Sequence, residues 1–191
     1  MDTARVIVAM GNDATNAKIK AFLVEHGYEV VETAQESNEC LRKLSLLRPD
    51  ILVIDSALPG MGGFEVTRVA VDDDNCSVVM ITSTPQEYIE ENLKDSFRFS
   101  YIVKPINKML LINTLELMQK SGRKIKELEK EVEQLRNAID SKKEVDRAKR
   151  LLMEHLKMSE EEAFKRIQKQ SMDKGISMRE IAKAIILAYD I

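Results

Sequence analysis

Tryptophan is absent from this 191-residue chain, and cysteine and histidine occur only as Cys40, Cys76, His26 and His155. So few of them exclude a disulfide scaffold and a Cys/His zinc module. No apolar run approaches the roughly 18 residues a membrane helix needs. The opening MDTARVIVAMGND lacks the basic region, apolar region and small-residue cleavage site of a signal peptide. A reducing cytoplasm is the expected compartment, with no membrane partner. Proline is scarce, at four residues, and none follows Pro105. One helix therefore has room to run from about Asn107 to Leu156, far beyond the ordinary globular length.

Apolar and charged residues are plentiful, at 44% and 32% of the chain, so most of it is expected to fold. The charge is uneven. Residues 1–120 carry 12 Lys/Arg and 18 Asp/Glu, residues 121–140 carry 5 and 5, and residues 141–191 carry 12 and 9. An acidic regulatory half followed by a basic contact half is the implied organisation, with nucleic acid as a candidate partner.

The first 120 residues alternate two patterns. Strand-like runs fall at Val6–Met10, Glu29–Thr33, Ile51–Asp55, Ser77–Ile81 and Tyr101–Val103. Helical stretches fall at Ala14–His26, Asn38–Leu47, Gly63–Asp72 and Gln86–Asp95. The runs ILVI and VVMI are apolar throughout, as suits strands covered on both faces. Gly27 stands where a helix stops, and Thr84-Pro85-Gln86-Glu87 reads as a capping box with proline at the first helical position. Strands alternating with helices predict a doubly wound α/β domain with a parallel sheet.

After Ile106 the strands stop. Met118, Ser121, Ile125, Leu128, Val132, Leu135 and Ile139 recur at alternating three- and four-residue steps with Glu and Lys between them. This is a heptad seam, and its expected partner is a second copy of the helix. Capping boxes at Ser159–Glu162 and Ser177–Glu180 open two short helices, the first ending at Gly175. Their apolar residues Ala163, Phe164, Ile167, Ile181, Ala182, Ile185 and Ile186 match Val145, Ala148, Leu152 and Leu156 on the long helix. A small three-helix bundle follows.

Ligands of a doubly wound sheet sit beyond the carboxyl ends of its strands. Asp55, Thr82 with Ser83, and Lys104 occupy those ends. A carboxylate can act as nucleophile and form an aspartyl-phosphate. Lys104 would pair with a phosphoryl oxygen and Thr82 would bond another. Tyr101, three residues before Lys104, could swing inward or outward with that bond.

The stretches ILVIDSALPGMGGFE, VVMITS and YIVKP resemble the receiver domain of two-component response regulators. The resemblance covers about 120 residues. It implies a flavodoxin-like five-stranded sheet of order 2-1-3-4-5. It also implies Asp55 as phosphoacceptor, Thr82 as switch hydroxyl, Tyr101 as switch aromatic, Lys104 as the family's lysine, and a histidine kinase or sensor protein as partner. Receivers carry two acidic residues after the first strand that help hold Mg²⁺. Counting back from Gly27-Tyr28, those positions fall on Met10 and Gly11, and Asn12 or Asp13 would have to substitute beside Asp55. Mg²⁺ favours octahedral oxygen ligands, so a degraded metal site and slow phosphorylation are expected.

The segment SKKEVDRAKRLLMEHLKMSEEEAFKRIQKQSMDKGISMREIAKAII resembles an ANTAR domain, the RNA-binding module of bacterial transcription antiterminators. Arg150 stands where that family has glycine, and Gln168 where it often has arginine. The resemblance implies RNA contact by the basic helix surfaces, here Arg147, Lys149, Arg150, Lys165, Arg166, Lys169, Arg179 and Lys183. Such side chains bind phosphates in a salt-dependent way. With few aromatics, recognition of a hairpin loop by a few polar contacts fits better than stacking on many bases.

The combined expectation is a receiver-like domain over 1–120, a coiled-coil linker over 121–140 and an RNA-binding bundle over 141–191. The chain reads as a homodimeric, non-enzymatic response regulator that binds stem-loop RNA and prevents transcription termination. The rival reading is a phosphorylation-independent antiterminator whose pseudo-receiver is bound by a sensor protein. A DNA-binding regulator is disfavoured, because no basic recognition helix follows a short turn.

Overall fold

In the computed structural model, which describes residues 3–72, 76–83 and 97–189, the two continuous apolar runs lie inside the sheet. The strands are β1 (Arg5–Ala9), β2 (Glu29–Ala34), β3 (Ile51–Asp55), β4 (Ser77–Thr82) and β5 (Phe99–Val103). All pairings are parallel, in the order β2-β1-β3-β4-β5. The helices are α1 (Asp13–Glu25), α2 (Ser37–Leu47), α3 (Gly63–Asp72), α4 (Lys108–Leu156), α5 (Glu160–Lys174) and α6 (Met178–Tyr189). The predicted helix at Gln86–Asp95 and the capping box at Thr84–Glu87 lie outside the described residues.

The sheet is covered on both faces, which is why β3 and β4 are apolar throughout. On one face Ile19 and Leu23 of α1 and Leu111, Leu115 and Met118 of α4 pack over Val8, Val53 and Ile81. On the other, Cys40 and Leu44 of α2 and Val66 and Ala70 of α3 pack over Ile7, Leu52, Ile54 and Met80. Burial pushes the Cys40 and Cys76 thiols up to about 12, so both stay protonated and behave as small apolar residues. Gly27, at φ +84°, turns the chain from α1 into β2.

The chain forms two compact units, Met1–Lys126 and Glu127–Ile191, and α4 runs through the boundary between them. The first unit keeps more of α4 than the seam pattern implied. Met118, read above as the first seam residue, is 4% exposed inside the sheet's core. Gly122 lies so close to the sheet that an added Cβ would be 2.9 Å from the Ser77 hydroxyl. Lys126 bonds Asp50 at 3.0 Å. The bare part of the seam is Leu128, Val132, Leu135 and Ile139.

In the second unit, Val145, Ala148 and Leu152 of α4 pack with Ala163 and Ile167 of α5 and Ile181, Ala182 and Ile185 of α6. Phe164 and Leu156, expected in this core, are about two-fifths exposed, because Ala163 and Ile167 take the inward side of α5. Both capping boxes form. The Ser159 hydroxyl accepts the Glu162 amide while the Glu162 carboxylate accepts the Ser159 amide, and Ser177 and Glu180 repeat the arrangement. Gly175, at φ +64°, ends α5.

Candidate functional site

Parallel strands bring the residues that end β3, β4 and β5 to one edge. There the Lys104 ammonium donates to Asp55 Oδ2 at 2.7 Å, and Asp55 Oδ1 accepts the Ala57 amide at 2.9 Å. Thr82 is fully buried at the end of β4, and its carbonyl accepts the Lys104 amide at 2.8 Å. That bond sets Lys104 directly beside the strand carrying Thr82. Asp55 and Lys104 therefore meet as their strand-end positions predict. Tyr101 is half-buried, stacked on Phe99 with ring centroids 6.3 Å apart, and packs against the α2–α3 face of the sheet.

The loop after β3 is held close to this edge. An added Cβ on Gly63 would lie 2.0 Å from the Asp55 carbonyl oxygen, so only glycine lets α3 begin there. The Pro59 carbonyl accepts both the amide and the hydroxyl of Ser37.

The same loop shapes the positions next to Asp55 where the family's metal-binding acids would stand. Met10 is 1% exposed and belongs to the sheet's core. An added Cβ on Gly11 would lie 2.8 Å from the ring of Pro59. Asn12 caps α1 by accepting the Thr15 amide, and Asp13 accepts a bond from the Gln35 side chain. At the edge itself Asp55 holds the Lys104 ammonium. Among the described residues no group of three His, Cys, Asp or Glu side chains could hold a metal ion. Mg²⁺ is usually held by one or two carboxylates with waters and phosphates, and Asp55 stands here without the acidic pair whose positions Met10 and Gly11 occupy.

Asn16 is a residue the sequence reading missed. It is 2% exposed, accepts the Met10 amide at 3.0 Å, and donates to the Met10 and Ala34 carbonyls at 2.9 and 3.0 Å. It shapes the turn that carries Met10 and Gly11. The signal was one polar residue in the α1 stripe with Ile19 and Leu23.

The basic residues of the second unit fall into two groups. Lys149 stands among the residues the resemblance implies for RNA contact. Its ammonium pairs with the exposed carboxylates of Asp146 and Glu160, each at 2.8 Å, with the side chain 15% exposed. Arg179 clamps α6 to α4, with Nε to Glu144 Oε2 at 2.8 Å and Nη2 to Oε1 at 3.4 Å. That guanidinium holds the Glu144 carboxyl below its ordinary range. Lys165 pairs with Glu161 on the surface of α5. Arg147, Arg150, Arg166 and Lys169 are exposed.

Residues 6–116 match the response regulator receiver domain family, and residues 133–186 match the ANTAR domain family. The chain belongs to the response regulators that join a receiver domain to an ANTAR domain. It is similar to the transcriptional regulatory protein PdtaR of Mycobacterium tuberculosis, with 30% identity over 182 residues, 95% of this chain and 89% of that protein. A protein-glutamate methylesterase/protein-glutamine glutaminase of Geobacillus kaustophilus is 35% identical over 94 residues, 49% of this chain but 27% of that protein. That likeness concerns the receiver, and the assembled chain is a regulator. The structure of a receiver domain protein from Methanospirillum hungatei JF-1 shares the fold, with a TM-score of 0.57 and 23% identity over 64% of this chain and 98% of that one. No helix among the described residues is long and apolar enough to cross a membrane.

Proposed function

We propose that this response regulator binds stem-loop RNA in nascent transcripts and prevents transcription termination. The observation that carries the reading is the basic three-helix bundle, which presents Arg150, Arg166 and Lys169 to solvent. Two such bundles are paired through the bare seam of α4, giving a homodimer with two RNA-binding heads. Binding RNA keeps the terminator hairpin from forming. The test is a binding assay of the whole protein with a pool of RNA hairpins and with duplex DNA of matched length. Hairpin RNA is expected to bind more tightly, with a log–log salt slope of roughly 0.7–0.9 per phosphate contacted. Equal or tighter binding of duplex DNA overturns the reading.

Control through the receiver has two forms, and Met10 and Gly11 favour the second. In the first, a histidine kinase phosphorylates Asp55, with Thr82, Tyr101 and Lys104 carrying the switch. In the second, a sensor protein binds the pseudo-receiver, and the Asp55–Lys104 pair persists throughout. Incubation with acetyl phosphate, with and without Mg²⁺, followed by intact-mass measurement separates them. Weak labelling that ignores Mg²⁺ and disappears in Asp55→Asn is the expected result. Rapid, stoichiometric, Mg²⁺-dependent labelling selects the first form.

A further inference from the structure

The second unit contains a groove of about 440 Å³ between α4 and α6, lined by Lys143, Glu144, Arg147, Lys183, Ile186 and Leu187. Its walls differ in chemistry. Ile186 has one side on the bundle's core, while Leu187 stands 82% exposed and contributes nothing to that core. Lys143, Arg147 and Lys183 supply a cationic rim. Glu144 lies among them, but both of its oxygens accept from Arg179, and Lys183 is 3.9 Å away. Its charge is thus offset by Arg179 and Lys183 within the protein, and Lys143 and Arg147 add further cationic groups to the rim.

An apolar wall beside phosphate-binding cations has a definite complement. Duplex nucleic acid stacks its base faces inside and offers base edges, sugars and phosphates. An unpaired nucleotide offers a bare base face and a phosphate together. We propose that this groove holds one unpaired nucleotide of an RNA loop, its base against Ile186 and Leu187 and its phosphates on Lys143, Arg147 and Lys183. The proposal rests on the stem-loop reading above and gives it a location. Arg179, through Glu144, is a positioning residue that sets the spacing of the two helices rather than a contact to RNA.

The test uses the whole protein and a pool of RNA hairpins with randomised loops containing 4-thiouridine. After ultraviolet crosslinking and digestion, modified peptides containing Lys183–Leu187 are expected. Leu187→Ser is expected to remove that crosslink and lower hairpin affinity about tenfold. Its exposure means the bundle stays folded, as unchanged helicity verifies. Lys143→Gln is expected to reduce the salt slope by roughly 0.7–0.9. Crosslinks only outside the groove, with Leu187→Ser binding as wild type, overturn the proposal while leaving stem-loop binding intact. Wild-type protein that binds no hairpin overturns both. A changed oligomeric state in Leu187→Ser at unchanged RNA affinity assigns the leucine to a second copy of the chain and also overturns the proposal.

Discussion

Two stretches of one helix carry similar apolar repeats and meet opposite fates. Leu111, Leu115 and Met118 of α4 are 1%, 0% and 4% exposed, whereas Leu128, Val132, Leu135 and Ile139 are 47%, 47%, 58% and 53% exposed. Both stripes return every three or four residues, so each lies along one side of the helix. The difference is what stands opposite. The first stripe meets the sheet until Gly122 touches Ser77 and Lys126 reaches Asp50. Beyond that point Leu128, Val132, Leu135 and Ile139 have no cover among the described residues, although hydrophobic burial would favour one. A repeat announces that a helix wants a partner, and the neighbouring fold decides whether the partner is internal.

The comparison can be broken most severely in the buried stretch. Leu115→Ala leaves a cavity beneath the sheet and is expected to destabilise the first unit by about 2–5 kcal/mol, read from denaturant unfolding. The bare stretch should respond in assembly instead. Leu128→Lys with Leu135→Lys is expected to convert a dimer into a monomer by light scattering, with unfolding of the first unit unchanged. Each leucine removed from an interface forfeits roughly 1.5–3 kcal/mol of burial. A wild-type protein already monomeric at micromolar concentration would remove the dimer from the proposal.

The junction between the stretches offers smaller effects. Gly122→Ala sets a methyl against the buried Ser77 hydroxyl, and the shift of about 1–3 kcal/mol is offset in part by the roughly 1 kcal/mol that Ala gains over Gly in a helix. The double variant Gly122→Ala, Ser77→Ala should recover part of that loss. The Lys126–Asp50 pair is the weakest link, because both side chains are more than two-fifths exposed. Burial alone would raise the Asp50 carboxyl, but the Arg5 amide and the Lys126 ammonium outweigh it and hold the group below its ordinary range. The stabilisation is therefore complete above the unfolded Asp value of about 3.9 and is lost as pH falls through the lower folded value. Lys126→Ala should cost under about 1 kcal/mol at pH 7, and thermal unfolding should show that difference shrinking in acid.

The candidate sites divide in a similar way. Asp55 and Lys104 were legible because parallel strands must end together, so residues at strand ends meet at one edge. Their 2.7 Å bond needed only the strand assignments to be anticipated. Pro59 was not legible as the neighbour of Gly11, since 48 residues separate them and only the loop's path brings them together. The capping serines could be read from four-residue patterns, whereas the commitment of Lys149 to Glu160 and of Arg179 to Glu144 required the bundle to close.

By itself the sequence determined the alternation of strands and helices, the unbroken course of α4, the two capping boxes and the strand-end chemistry around Asp55. These depend on local periods, on the absence of proline after Pro105, and on side chains within a few positions of the backbone they serve. Tertiary structure alone decided where the receiver's hold on α4 ends, which cations pair with carboxylates, and that Pro59 lies against Gly11. Those outcomes are packing contests between segments distant in the chain. Volume and ion pairing settle them, and neither leaves a local signature in the order of residues.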